Sequence, residues 1–286
     1  MSKFGSIGSG KDFTPSQVPT SDYLEATMLI KRILPTARHA MQLLFPRNCP
    51  SCGAESHPDS AADPFNGSWD EDGWCRECRI QIDPQNYHRC QSCAAVLAQP
   101  SPYSQGCASC HRQDFPFELA ISVHNYDGLL QRLVTQSKNT GDETLMAQLG
   151  RLLGHQVKKH RQTADTDLMV PIPTHWKRRF SSNGFHGPSL IAQNIEKITG
   201  IPQSQRILRA VKPTLKQGRL SRTARLKNVR DAFACKHPEK IERRTVMLID
   251  DVMTSGATMT EATKVLKRAG AKKVIVAVIA RATSAD

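Results

Sequence analysis

The sequence lacks the features that would place the chain in or across a membrane. No run approaches the roughly 18 to 20 uninterrupted apolar residues that a bilayer-spanning helix needs. The first 20 residues are polar and rich in Gly and Ser, without the apolar segment of a secretory signal. We therefore predict a cytoplasmic protein with no membrane span.

Acidic residues are also scarce, since 26 Asp and Glu stand against 39 Lys and Arg. The formal net charge is +13. It falls to about +9 if eight cysteine thiolates hold two zinc ions. A basic protein attracts nucleic acids and phosphorylated ligands over long range. Charge therefore allows both classes of ligand without choosing between them.

Eight of the nine cysteines form four Cys-x-x-Cys motifs. Without an export signal, cellular thiols keep cysteines reduced, so metal binding explains the motifs better than redox disulfides do. Two motifs complete a closed shell of four thiolates around one tetrahedral zinc ion. We predict two structural zinc ions shared by neighbouring motifs, with an interleaved pairing as the alternative. The ligands are Cys49, Cys52, Cys75, Cys78, Cys90, Cys93, Cys107 and Cys110.

Composition divides the chain into four segments. Residues 1–20 are predicted to be a disordered tail and residues 21–45 a helical lead-in. Residues 46–115 hold the eight motif cysteines but too few aliphatic residues for a core, which predicts a double zinc-ribbon module.

In residues 116–286 strands alternate with helices, which predicts an α/β domain with a mostly parallel sheet flanked by helices. The lone Cys235 is predicted to lie in a strand. Strands are predicted at 119–126, 168–173, 232–235, 244–249 and 273–280, and helices at 129–136, 144–159, 188–199 and 257–269.

The most informative segment joins an apolar strand to the acids Asp250 and Asp251 and then to a hydroxyl-rich turn. Ligands of open parallel sheets bind at the carboxyl ends of strands. Adjacent carboxylates can accept hydrogen bonds from a ribose diol and attract Mg²⁺. Gly256 lets the backbone approach a phosphate, to which the hydroxyls and the helix start donate. The turn comprises Thr254, Ser255, Gly256, Ala257 and Thr258; the alternative is an acid pair that caps a helix without a ligand.

This segment resembles the signature of type I phosphoribosyltransferases, which bind phosphoribosyl pyrophosphate (PRPP). Two further segments, residues 170–185 and 217–233, resemble the ComF competence family, and with the cysteine motifs the likeness spans roughly residues 43 to 282. The family usually reads Gly-Phe-Asn-Gln where this chain has Gly184, Phe185, His186 and Gly187. Contacts of that Asn and Gln are therefore not carried over.

The resemblance implies a type I phosphoribosyltransferase-like fold and a Mg²⁺-dependent phosphoribosyltransferase that supports uptake of single-stranded DNA in natural transformation. DNA-uptake proteins are then candidate partners. Asp250 and Asp251 would be the catalytic acids that hold the ribose, and the turn would hold the 5′-phosphate. The pyrophosphate side would be formed by Lys177, Arg178 and Arg179. A nucleobase-salvage enzyme and a non-catalytic PRPP-sensing scaffold are the alternatives.

Residues 212–230 carry seven bases and no acid. Such a run can hold pyrophosphate or follow a single-stranded backbone, or it can be a solvated helix and loop. Few aromatic residues interleave with it, which weakens the case for base stacking. No Gly-x-x-x-x-Gly-Lys-Ser/Thr motif occurs, which argues against a P-loop NTPase. The candidate nucleic-acid ligands are Arg219, Arg222, Arg225, Lys227 and Arg230.

Overall fold

The structure, a computed structural model, describes residues 48–55, 72–83, 87–103, 105–173, 185–213 and 222–283. The predicted tail and helical lead-in lie outside these residues, as do Lys177, Arg178, Arg179 and Arg219. Among the described residues, no helix is both long and apolar enough to cross a membrane.

The described helices are α1 (Arg76–Ile82), α2 (Gly128–Thr140), α3 (Glu143–Lys159), α4 (Gly187–Thr199), α5 (Arg222–Val229) and α6 (Ala257–Arg268). The strands are β1 (His88–Arg89), β2 (Val96–Leu97), β3 (Leu119–Asn125), β4 (Leu168–Pro171), β5 (Leu208–Ala210), β6 (Phe233–Cys235), β7 (Thr245–Met253) and β8 (Lys273–Arg281). Short 3-10 turns occur at Arg161–Thr163 and Pro238–Lys240.

A four-stranded sheet in the order β3-β8-β7-β4 forms the centre, and every neighbouring pair is parallel. The central strands are apolar at nearly every position because both faces of the sheet are covered. On β7, Met247 and Ile249 belong to a core with α2, α3 and α4, whereas Val246 and Leu248 belong to a core with α6. This confirms the predicted α/β fold with a mostly parallel sheet.

The strands and helices predicted after residue 116 are present, with ends that shift by up to four residues. Helix α2 continues to Thr140, and β7 continues through Asp250 and Asp251 to Met253. The sequence did not predict β5, which pairs antiparallel with β6 apart from the main sheet. A strand of three residues leaves too short a pattern to be recognised.

The cysteine-rich segment covers β3, the edge strand of the sheet. The guanidinium of Arg89 donates to the carbonyl of Ser122 at 3.0 Å, and the Ser122 hydroxyl donates to the carbonyl of Ala94 at 2.7 Å. The Asn125 amide exchanges two hydrogen bonds of 2.9 Å with the backbone of Val96. These contacts protect an edge that would otherwise be open to pairing with another chain.

Candidate functional site

The acid pair lies where the sheet narrows at its carboxyl edge. Asp250 stands opposite Val278 of β8, so this side of β7 is still paired. On the other side the last paired residue of β4 is Pro171, opposite Ile249. Parallel sheets bind ligands at this carboxyl edge.

Two carboxyl groups side by side disfavour each other's ionisation. Burial, and then the charge of Asp251, raise the pKa of Asp250 to about 8, although Lys138 acts in the opposite direction. The Asp251 amide also donates to Oδ1 of Asp250 at 2.9 Å. A site of this kind favours cations or hydroxyl donors that relieve the repulsion.

Lys138, which the sequence analysis did not single out, lies against this pair. Its Nζ is 2.8 Å from Oδ1 of Asp251. Burial alone would lower the pKa of Lys138, but the charges of Asp251 and Asp250 raise it overall. Lys138 belongs to the helix that follows β3, and β8 separates β3 from β7. No sequence pattern could show this contact, because it depends on the order of strands in the sheet.

The predicted phosphate turn follows β7 directly and begins helix α6. Gly256, the N-cap of this helix, has a φ of 76° in the left-handed region and offers no side chain as a cap. The Ala257 amide donates to Oγ of Ser255 at the long distance of 3.4 Å. The first amides of α6 are therefore placed to donate to an anion, which the helix dipole also favours.

Residues far away in sequence hold the turn in place. The buried side chain of Arg281 donates from Nη1 to the carbonyl of Met253 at 3.1 Å and also to the carbonyl of Thr254. The ring of Phe115 packs on Gly256, where an added Cβ would lie only 2.6 Å from Cε1 of that ring. The position thus requires glycine both for its backbone conformation and for space.

The motif cysteines form two separate groups of four, in sequential pairing and not interleaved. Within each group the sulfur atoms lie within 4.8 Å of one another. Sulfur separations include Cys52 to Cys75 at 3.7 Å and Cys90 to Cys110 at 3.6 Å. A zinc tetrahedron with Zn–S bonds of about 2.3 Å has edges of about 3.8 Å. None of the cysteines is in a disulfide. Each group could therefore hold one zinc ion.

The two groups pack on opposite faces of the sheet. In the first (Cys49, Cys52, Cys75 and Cys78), Cys49 and Cys78 are buried in the core with α2, α3 and α4. The second consists of Cys90, Cys93, Cys107 and Cys110, all buried in the core with α6. The positive charge of Arg281 acts to lower the pKa of the Cys93 thiol. The second group therefore lies near the residue that holds the phosphate turn.

The structure describes the side chains of three of the five candidate nucleic-acid ligands. Arg225 is half-buried on α5, while Lys227 and Arg230 are exposed on or just after this helix. Arg222 begins α5. The amide of Asp231 donates to Glu261 of α6 at 3.0 Å, which ties the end of the basic segment to the helix after the phosphate turn.

Comparison with known proteins identifies relatives over most of the chain. A family model described as phosphoribosyl transferase domain matches residues 191–285, which include β7, the phosphate turn and α6. Competence protein F of Haemophilus influenzae is 29% identical over 217 residues, covering 74% of this chain and 92% of the relative. Over most of its length the chain is therefore similar to Competence protein F. This confirms the resemblance indicated by the sequence motifs.

A second relative is DNA utilization protein YhgH of Salmonella typhimurium. It is 29% identical over 216 residues, which cover 71% of this chain and 94% of YhgH. Among solved structures, the glutamine PRPP amidotransferase of B. subtilis complexed with ADP and GMP is 20% identical. That match covers 46% of this chain and 25% of the amidotransferase, with a TM-score of 0.32.

Proposed function

We propose that the protein binds PRPP with Mg²⁺ at the end of β7 and supports the handling of incoming DNA, as the names of its relatives suggest. One observation carries the proposal. A pair of acids at the carboxyl edge of a parallel sheet runs directly into a helix start whose cap residue, Gly256, has no side chain to donate to or accept from the first turn. This arrangement offers acceptors for a diol and donors for a phosphate within one segment.

Each part of the segment has a task in this proposal. Asp251, and Asp250 once it has given up its proton, accept hydrogen bonds from the ribose hydroxyls, and residues Thr254 to Thr258 bind the 5′-phosphate. Mg²⁺ supplies positive charge that offsets the pyrophosphate. Lys177, Arg178 and Arg179 are proposed to face the pyrophosphate.

The test is to titrate PRPP against a variant carrying Asp250→Asn and Asp251→Asn, by calorimetry with Mg²⁺ and then with a chelator. The variant keeps side-chain size but loses charge-assisted hydrogen bonds that contribute about 1.5 to 3 kcal/mol each. Affinity should fall by roughly two orders of magnitude or more, since about 1.4 kcal/mol corresponds to tenfold. Thr258→Val should weaken binding less, because the backbone donors of the turn remain.

Asp127→Asn is the matched control. Asp127 follows β3 at the same edge of the sheet, but its side chain is 65% exposed and contacts His124. It should bind PRPP like the parent protein. If the double variant also binds like the parent, the acid pair is structural and the proposal is wrong.

Turnover separates the enzyme from the PRPP-sensing scaffold. We propose a phosphoribosyltransferase in which an acceptor displaces pyrophosphate from C1 of PRPP. Incubation with Mg²⁺, PRPP and candidate acceptors, with single-stranded DNA and nucleobases in separate reactions, should release pyrophosphate with one of them. Pyrophosphate release with a nucleobase alone would favour the salvage enzyme. No release with any acceptor, despite PRPP binding, would favour the scaffold.

We further propose that the protein holds two structural zinc ions and contacts single-stranded DNA with a basic surface. A closed shell of four thiolates has no open coordination position, so zinc here contributes to folding and not to chemistry. The exposed Lys227 and Arg230, with Arg225, would follow the phosphate backbone. DNA-uptake proteins are the proposed protein partners. The cytoplasm is the proposed compartment because it keeps zinc-binding thiols reduced.

A further inference from the structure

The acid pair at the end of β7 already has a cation beside it. Lys138 in the last turn of α2 places its Nζ 2.8 Å from Oδ1 of Asp251, and the charge of Asp250 also acts to raise the pKa of this lysine. Because β8 lies between β3 and β7, the helix after β3 must reach over β8 to make this contact. The overall fold, and not the local sequence, brings the lysine to the site.

The pair could be an ordinary surface ion pair, which contributes at most about 1 kcal/mol to stability. Its surroundings argue otherwise. The Asp251 side chain is only 18% exposed, and it adjoins a second acid in the strand. A cation at this place removes a like-charge repulsion and takes up an oxygen that a ribose hydroxyl or a divalent ion would need.

The Lys138 side chain is nevertheless 39% exposed, so solvent reaches it. A lysine has a flexible four-carbon stem and a compact charge, and it can therefore exchange one anionic partner for another without moving the helix. A phosphorylated ligand that enters the site would supply such a partner.

Resting on the proposed function, we infer that Lys138 is a ligand-binding residue of this site. Its ammonium group occupies the cation position at Asp251 when no ligand is bound, and it pairs with phosphate oxygens when PRPP binds. Lys138 therefore competes with divalent ions for Asp251 but strengthens binding of the phosphorylated ligand. Removing its charge should change the two affinities in opposite directions, which loss of a merely structural contact would not do.

The experiment compares Lys138→Met with Lys267→Met as the matched control. Lys267 on α6 also pairs with a carboxylate, that of Glu118, and its side chain is 33% exposed. Mn²⁺ binding without PRPP is measured by electron paramagnetic resonance, and PRPP binding with saturating Mg²⁺ by calorimetry. We expect Lys138→Met to bind Mn²⁺ about fivefold or more tightly and PRPP about tenfold more weakly, since charge-assisted bonds exceed about 1.4 kcal/mol. The control should change neither by more than about twofold.

Lys138→Gln, which keeps a donor to Asp251 but no charge, replaces Lys138→Met if the latter fails to fold. Unchanged Mn²⁺ affinity in the charge-removed variant, or no Mn²⁺ binding by it, overturns the inference whatever PRPP does. Tighter Mn²⁺ binding with unchanged PRPP affinity overturns the ligand contact. If the parent binds no PRPP at all, the proposed function fails, while tighter Mn²⁺ binding by the variant would still support cation competition at Asp251.

Discussion

The contact between Gly256 and Phe115 predicts the cost of adding a single methyl group to the phosphate turn. In Gly256→Ala the new Cβ would lie 2.6 Å from Cε1 of Phe115, well inside the usual separation of about 3.5 to 4.0 Å. The left-handed backbone costs a non-glycine residue about 1 to 2 kcal/mol. Overpacking against a rigid ring adds about 1 to 3 kcal/mol. We expect a total loss of stability of about 2 to 5 kcal/mol.

Gly200→Ala isolates the backbone part of this cost. Gly200 ends α4 with a φ of 75°, nearly that of Gly256, but an added Cβ there meets nothing within 4 Å. Its substitution should cost only about 1 to 2 kcal/mol. Urea unfolding of both variants in zinc-containing buffer measures the difference, which should be about 1 to 3 kcal/mol.

A double-mutant cycle with Phe115→Ala then assigns the excess to the ring. Removing the ring loses its stacking on Phe117, at a centroid distance of 4.7 Å, but it also makes room for the methyl group of Gly256→Ala. The double variant should therefore be more stable than the sum of the single changes predicts. If Gly256→Ala costs no more than Gly200→Ala, the packing of Phe115 on the turn does not constrain it and the reasoning fails.

Three further predictions concern metal, pH and DNA. Protein expressed with ample zinc should contain two zinc ions per chain, and one ion or none by metal analysis would contradict the eight-ligand assignment. Since the pKa of Asp250 rises from 3.8 to about 8 on folding, the folded chain holds a proton that the unfolded chain has lost. The free energy of unfolding should therefore fall as pH rises between these two pKa values, by up to about 1.4 kcal/mol per pH unit. When the free energy of unfolding from urea titrations is plotted against pH, Asp250→Asn should give a shallower slope than the parent protein, and equal slopes would refute this. Affinity for single-stranded DNA should drop steeply between about 50 and 200 mM salt, and a flat response in a filter-binding assay would exclude backbone tracking.

The sequence predicted those parts of the site that are contiguous in the chain. The acid pair, the turn and helix α6 follow one another within residues 250 to 268, so strand and cap patterns suffice to place them. The sulfur groups were predictable for a similar reason, because each motif contributes two ligands at fixed spacing. The proposed roles of these residues stay predictions.

The contacts that the sequence could not predict are all long-range. Lys138, Phe115 and Arg281 reach the site from α2, from the segment before β3 and from the end of β8. Their meeting depends on the strand order β3-β8-β7-β4, which periodicity along one chain does not encode. Lys138 and Arg281 lie just beyond the predicted helix 129–136 and the predicted strand 273–280, where lysine and arginine would ordinarily be assigned to the solvent-exposed surface.

The same long-range contacts connect the second cysteine group to the phosphate turn. Cys90, Cys93, Cys107 and Cys110 are buried in the core that also contains Met253 and Met259, one before the turn and one in the first turn of α6. Arg281, whose charge acts to lower the pKa of Cys93, donates to the carbonyl of Met253, the residue before the turn.

A closed zinc shell at the second cysteine group would act on ligand binding only through such packing, by fixing the positions of the hydrogen-bond donors in the turn. Binding free energies are reciprocal, so a zinc ion that orders the turn for a phosphate must itself be held more tightly when the phosphate is bound. The first cysteine group packs on the other face of the sheet, among α2, α3 and α4, where its metal would stabilise the helix that carries Lys138.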